Sequence, residues 1–279
     1  MRTRITERLW SGPVRRLCRS RSVILGYHGV TRSAPWLDLS RLQVSPARFR
    51  AHVELLLEAG FQFVTVAELA RLAGGGTPPP GYAALSFDDG MRNNYTVALP
   101  ILQEHGIRAT VYVSIDLIGG TSPWIDPRSS ERMLDERELQ ALVAAGWELG
   151  GHTVSHPDLS QLDYETCRHE IEAGKTALEQ IGGVRVETFA YPFGRYGPTA
   201  VRAVRDSGLL AAVTTGSGSW NRYELTRAMI GAADPMPVVL LKLSDSYEPL
   251  LRLPPLASLR SASKQLRRRL QAQRQRMAA

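Results

Sequence analysis

The apolar positions of the chain fall into short runs separated by amphipathic stretches of helical length. Ser22-Val23-Ile24-Leu25-Gly26-Tyr27-His28 is too short for a buried helix and reads as a buried strand. Residues 46–59 then carry apolar side chains at helical spacing, with Ser45 as N-cap and Gly60 just past the end. Residues 61–66 read as a second strand, and Gly74-Gly75-Gly76-Thr77-Pro78-Pro79-Pro80-Gly81 as a loop on composition alone. From there the pattern predicts strand 83–87, helix 94–104, strand 109–115, helices 136–145 and 164–181, strand 187–191, helix 198–206 and strand 210–214. Repeated strand–helix units with apolar strands predict an α/β fold with a mainly parallel sheet or barrel.

Composition adds an organisation to that fold. At 279 residues, 43% of them hydrophobic, the chain has the length and apolar content of a single α/β barrel. The charge is unevenly placed: residues 1–21 hold seven Arg and one Glu, and residues 256–279 hold six Arg, one Lys and no acid. With +6 and +7 at the ends of a chain whose net charge is +7, the body between them carries −6. We therefore expect a basic segment over 1–21, one catalytic domain over 22–255 and a basic tail over 256–279. An acidic body with basic ends lacks the basic stripe of a nucleic-acid-binding surface, so nucleic acid is not an expected partner. In the tail, Leu259, Ala262, Leu266 and Leu270 interleave with basic residues as in a weakly amphipathic helix. Such a tail is either solvated or drawn to anionic lipid headgroups, at about 1 kcal/mol per basic residue near the surface. No apolar run reaches the roughly 18 residues of a membrane span, and the Arg-rich start lacks the apolar core of a signal peptide. The expected location is the cytoplasm, with peripheral contact at the inner face of the membrane through the basic ends. Cys18 and Cys167 form neither a disulfide framework nor a metal motif and read as free thiols.

Two segments carry the chemistry. Ser86-Phe87-Asp88-Asp89-Gly90 follows Tyr82-Ala83-Ala84-Leu85, and His152-Thr153-Val154-Ser155-His156 follows Trp147-Glu148-Leu149-Gly150-Gly151. Both therefore sit at the carboxyl ends of buried strands, where parallel sheets and barrels place their sites. Alone, Asp-Asp-Gly is a common turn and a His pair at this spacing is usually incidental. Together they match a catalytic divalent metal, which takes three nitrogen or oxygen ligands and keeps a position open for water. Asp89, His152 and His156 supply that number. Asp88 adjoins a ligand and is placed to take the proton of that water as a general base. Two His and a carboxylate suit Zn2+, and Co2+, Ni2+ or Fe2+ also fit.

These two segments and Tyr191-Pro192-Phe193-Gly194, in this order, resemble the motifs of the polysaccharide deacetylases of the NodB homology type, carbohydrate esterase family four, over roughly residues 82–230. Tyr27-His28-Gly29-Val30 is similar to an early element of the permuted subgroup that contains poly-N-acetylglucosamine deacetylases. The resemblance implies a distorted (β/α) barrel of about seven units. It also implies metal-dependent removal of acetyl groups from N-acetylated sugars of a glycan or lipid-linked saccharide. It assigns Asp88 as base, Asp89, His152 and His156 as ligands, and the backbone N–H of Phe193, in a turn with Tyr191, Pro192 and Gly194, as an oxyanion donor. Losing one such donor typically costs about 3–4 kcal/mol of barrier. For the proton to the leaving amine, His28 is the candidate, because imidazole titrates near neutrality and the permuted subgroup has a His after its first strand in this role. The alternative for His28 is a strand-end residue satisfied by backbone.

One position departs from the family. Many members carry Arg two residues before the Pro of the third motif, paired with the base Asp, and here that position is Ala190. Without a cation the pKa of Asp88 should rise, unless another Arg approaches. Arg227, expected to follow a strand near the end of the barrel, is the candidate, with a surface ion pair as its other reading. Trp220 and Trp124 either stack on a sugar or pack, and His52, His105 and His169 read as surface or helix-end residues. Competing functions are an O-acetyl esterase on a glycan, a catalytically inactive carbohydrate-binding homologue, and an adaptor working through its basic ends.

Overall fold

The computed structural model describes residues 20–31, 42–121, 131–216 and 219–244. The basic tail, nearly all of the basic N-terminal segment, Cys18 and Trp124 lie outside the described residues. Seven parallel strands close into a ring: β1 (Val23–Tyr27), β10 (Leu225–Met229), β9 (Ala211–Thr215), β8 (Thr188–Ala190), β7 (Glu148–Gly151), β6 (Thr110–Val113) and β5 (Tyr82–Phe87). The ring closes where β1 pairs with β5 over Val23↔Ala83 to Tyr27↔Phe87. A short strand, β4 (Gln62–Val64), lies against the opening half of β5. Two further residue pairs, β2 (Gly29–Val30) and β3 (Gln43–Val44), form a separate parallel ladder beside the mouth-side end of β1.

The two-residue period of the strands sorts their side chains into two buried layers. Leu25, Tyr27, Leu85, Phe87, Val111, Val113, Leu149 and Phe189 face outward into a core shared with the surrounding helices. Ile24, Ala84, Tyr112, Ala190, Val213 and Leu225 face inward and pack on Val66, Leu69 and Ala70. Those last three belong to α2 (Val66–Ala73), an element the hydrophobic pattern did not separate from the expected strand 61–66. It starts at a capping box, in which Thr65 accepts from the Glu68 N–H and Glu68 from the Thr65 N–H.

Five other helices surround the ring where the pattern predicts them. α1 (Pro46–Ala59) has the expected bounds, with the Ser45 hydroxyl accepting from the Arg48 N–H and Gly60 left-handed at φ 80°. The helix expected over 94–104 opens as a π turn, Asn94–Ala98, before α3 (Leu99–Gln103), because Pro100 has no N–H for an ordinary helical bond. α4 (Glu136–Ala144), α5 (Tyr164–Gly182) and α6 (Pro198–Asp206) follow, and α7 (Met236–Leu243), not anticipated, comes after the last strand. Among the described residues no helix is long and apolar enough to cross a membrane.

One reading is corrected. His52 is not a surface residue: it is 2% exposed on the inner face of α1, with Nδ1 3.3 Å from the Tyr27 hydroxyl. His105 and His169 are exposed, as expected.

Candidate active site

Each chemical residue leaves the ring at its carboxyl end. His28 follows β1, Asp88 and Asp89 follow β5, His152 follows β7, and the Tyr191-Pro192-Phe193-Gly194 turn follows β8. The chain turns sharply there, and four non-glycine residues take left-handed backbone: Asp89 (φ 71°), Thr153 (φ 74°), His156 (φ 60°) and Phe193 (φ 59°). Such conformations cost free energy and concentrate where a side chain must be aimed.

The aim is a common point. Asp89 Oδ1 lies 3.4 Å from His152 Nε2 and 3.4 Å from His156 Nε2. One ligand atom from each of the three residues lies within 4.8 Å of the others, and both Asp89 and His152 are buried. The other ring nitrogen of His152, Nδ1, lies 2.7 Å from the Ala190 carbonyl, which sets the ring so that Nε2 faces the cluster. Thr153 braces the turn between the two His by accepting the His156 N–H on Oγ1 at 2.9 Å. Glu170 of α5 holds the same turn by accepting the Val154 and Ser155 N–H groups at 2.9 Å each. Burial pushes the Asp89 carboxyl up, but hydrogen bonding to the two His rings outweighs it, and the group is held well below the carboxylate range. Two imidazoles and an ionised carboxylate converging in this way fit a divalent cation with open coordination.

Asp88 is occupied differently. Arg227 grips it with both arms of the guanidinium, Nη1 to Oδ1 at 2.6 Å and Nη2 to Oδ2 at 2.7 Å. Nη1 also donates to Ser86 Oγ at 3.1 Å, and Nε to the Thr214 carbonyl at 3.3 Å. Burial pushes the Asp88 carboxyl up, and the Arg227 charge and hydrogen bonds more than offset this, so its pKa stays below the ordinary value. Arg227 does not follow a strand, as expected, but lies within β10, pointing inward with 1% exposure. It thus takes the place of the Arg missing at Ala190.

Beneath Arg227 a polar column descends through the ring, and sequence reasoning missed it. The Tyr112 ring lies under the guanidinium, 5.4 Å from its centre. Thr188 donates its single hydroxyl proton to Glu148, and Thr188 Oγ1 in turn accepts from the Tyr112 hydroxyl at 3.2 Å. Glu148 accepts in addition from Thr110 Oγ1 at 2.7 Å and from the Ala67 N–H, at the start of α2, at 3.0 Å. Burial still leaves the Glu148 carboxyl above its ordinary pKa. The ring has room for this column because small residues surround it: a Cβ on Gly150 would sit 2.4 Å from the Tyr112 ring. Inward alternation in Thr110-Val111-Tyr112 and Leu225-Thr226-Arg227 was the available signal.

At the mouth, Phe193 is 53% exposed, with its ring 4.6 Å from that of His156. The Arg195 guanidinium lies 5.6 Å from the Phe193 ring centre and is anchored to Asp158 at 2.8 Å. The Gly194 N–H is taken by the Tyr191 carbonyl at 2.9 Å and the Arg195 N–H by that of Pro192 at 3.0 Å. Gly194 (φ 64°) has to be glycine, since a Cβ would lie 2.4 Å from Thr215 Oγ1. Tyr191 points away from the mouth and donates from its hydroxyl to the Tyr223 carbonyl at 3.0 Å. His28 is half-buried, close enough for its positive form to lower both Asp88 and Asp89. Trp220 is half-buried and packs against the apolar cluster inside the ring.

The sequence model of the polysaccharide deacetylases matches residues 75–212, a span that includes Asp88, Asp89, His152, His156 and the Pro192 turn. The chain belongs to this family. Polysaccharide deacetylases are hydrolases, and relatives support the placement along most of the chain. YxkH of Bacillus subtilis (strain 168), whose name groups it with polysaccharide deacetylases, is 26% identical over 212 residues, covering 74% of this chain and 70% of its own length. Among solved structures, the Streptococcus pyogenes deacetylase PplD in complex with acetate is 26% identical with a TM-score of 0.68, covering 80% of this chain and 98% of its own. IcaB from Ammonifex degensii shares the fold with a TM-score of 0.68 at 24% identity, over 81% of this chain and 97% of its own. The deacetylase barrel is therefore a distorted (β/α) ring, as the family resemblance implied.

Proposed function

We propose that this polysaccharide deacetylase removes acetyl groups from N-acetylated sugars of a glycan or lipid-linked saccharide, and that it does so with a divalent metal. The observation that carries the reading is the division of labour between adjacent acids. Asp89 converges with His152 and His156, while both carboxylate oxygens of Asp88 are held by the Arg227 fork. Asp89, His152 and His156 would hold the ion, Zn2+ by donor type, with Co2+, Ni2+ or Fe2+ also compatible. When bound, such an ion polarises an acetyl carbonyl and acidifies water at its open position.

The remaining steps fall to the chain itself. Asp88, kept ionised by Arg227, takes the proton of the attacking water. The Phe193 N–H, which no carbonyl of its turn accepts, donates to the oxyanion that forms at the acetyl carbon. His28 gives a proton to the amine as it leaves. The exposed Phe193 ring forms one wall of the site beside His156. The basic ends would draw the enzyme to anionic headgroups, so that trimming residues 256–279 leaves turnover of a soluble substrate unchanged.

Acetate release from chitooligosaccharides and from lipid-linked N-acetylglucosamine, with and without chelator, tests the reading. Asp88→Asn should lower the rate by about 10²–10⁴-fold with metal content retained. His152→Ala should lose both metal and activity. A rate unmoved by chelator removes the metal from the mechanism, acetate released only from O-acetylated glycans makes the enzyme an esterase, and no release from any glycan leaves a binding protein.

A further inference from the structure

His28, the candidate proton donor, stands alone between two strands, and its place is set from across the site. Asn94, fully buried on the π turn that follows the Asp88-Asp89-Gly90 turn, donates from Nδ2 to the His28 carbonyl at 2.9 Å. Its neighbour Asn93, also buried, accepts the Val30 N–H on Oδ1 at 3.0 Å. Asn93 is itself fixed, donating from Nδ2 to Gln43 Oε1 at 2.6 Å and to Glu131 Oε2 at 3.0 Å. Two consecutive asparagines therefore clip both ends of His28-Gly29-Val30. Gly29 fits between them without slack, since a Cβ there would lie 2.7 Å from Asn93 Oδ1 and 2.9 Å from Met91 Sδ. The clip is retained although Asn94 Oδ1 is buried with no hydrogen-bond partner, an arrangement that proteins keep where another requirement holds the side chain in place.

We propose that Asn94, seconded by Asn93, is a positioning residue for the acid step: it registers His28 against the turn that carries the base and a metal ligand. The proposal rests on the reading of His28 as proton donor. In that step the C–N bond of the tetrahedral intermediate breaks and its electron pair stays on nitrogen. The nitrogen takes a proton from the His28 ring, leaving the free amine and acetate. A leaving group that departs as a stable anion needs no such proton. The registration therefore matters for an amide and not for an activated ester.

The experiment compares acetate release from an N-acetylated chitooligosaccharide with hydrolysis of 4-nitrophenyl acetate, in the full-length metal-loaded enzyme. The variants are His28→Ala, Asn94→Asp, Asn94→Ser and His28→Ala with Asn94→Asp. His28→Ala should lower kcat on the amide by about 100-fold or more and spare the ester. Asn94→Asp, which keeps shape but loses the donor, should lower amide kcat by about 10–100-fold with KM unchanged. Its ester rate should stay within about threefold of wild type, which also shows that the variant is folded. Asn94→Ser serves in its place if the aspartate variant does not fold. Added to His28→Ala, the Asn94 change should have no further effect. If the Asn94 variants slow both substrates equally, leave the amide untouched, or add fully to a His28→Ala that keeps its selective loss, the positioning role is refuted and the acid assignment stands. If His28→Ala slows both substrates alike, the acid assignment itself falls, and the positioning role with it.

Discussion

Replacing Arg227 with Met tests the electrostatic design of the barrel interior. Methionine has a similar length and no charge, so the change leaves Asp88 buried without its fork and Ser86 Oγ and the Thr214 carbonyl without a donor from this side. Breaking a buried ion pair by removing one partner typically costs about 3–5 kcal/mol, because the remaining charge is stranded. For a domain of this size that is roughly 6–20 °C in Tm. The sign of the pH dependence follows from the carboxyl. In the wild type the folded pKa of Asp88 lies below its unfolded value, so the group adds stability above the unfolded pKa and loses it as pH falls through the folded pKa. In Arg227→Met the main influence opposing burial is gone, only the weaker pull of His152 and His28 remains, and the folded pKa is expected to rise above the unfolded one. The penalty is then full near neutrality and shrinks as pH falls toward about 4. Urea unfolding at several pH values, for wild type, Arg227→Met and Arg227→Met with Asp88→Asn, measures this directly. The double variant should be more stable than the single one at neutral pH, because it removes the stranded charge. A loss below about 1 kcal/mol for the single variant, or a double variant no better than it, would refute the reasoning.

Two further outcomes follow from groups outside the ion pair. Burial, with help from the Arg48 charge, lowers the His52 pKa to about 4. Its stability contribution is therefore lost as pH drops from the unfolded value near 6.5, up to roughly 3 kcal/mol by pH 4. His52→Gln should flatten the unfolding free energy across that window, and an unchanged slope would exonerate the residue. At Phe193 (φ 59°), Phe193→Gly should relieve left-handed strain of about 1 kcal/mol, holding or raising the urea midpoint while kcat/KM on glycan falls with the lost ring. A lower midpoint together with full activity contradicts both halves.

Much of the barrel is legible because its signals are local. Ser45 and Gly60 bracket α1 at its observed bounds, and the strands before the Asp88-Asp89 and His152–His156 segments are apolar runs ended by small or polar residues. What escaped is either buried on more than one side or assembled from distant parts. α2 is a short plug whose apolar residues merge with the preceding strand, and only the Thr65–Glu68 capping box marks its start. His52 was legible in hindsight, since it shares helical spacing with Phe49, Val53 and Leu56 and so falls on the buried stripe. The grip of Arg227 on Asp88 joins residues 139 apart, a distance no local pattern spans, and Ala190 shows only that the usual cation is missing. The Asn93–Asn94 clip was invisible for the same reason: its partners, Val30 and His28, lie 63 and 66 residues earlier in the chain and come beside it only when β1 pairs with β5.

The seam of the ring joins strands from far apart in the chain. β1 and β10 are the first and last strands of the ring, and they pair with each other through Leu25↔Ala228 and Gly26↔Met229. One leads into His28 and the other carries Arg227, whereas the span matched by the family model, residues 75–212, contains neither. The five strands between them would by themselves bring the Asp89, His152 and His156 turns together yet leave Asp88 without its counter-ion. On the proposed roles of His28 and Arg227, turnover needs both outlying strands docked, and its regain during refolding is expected to report ring closure itself.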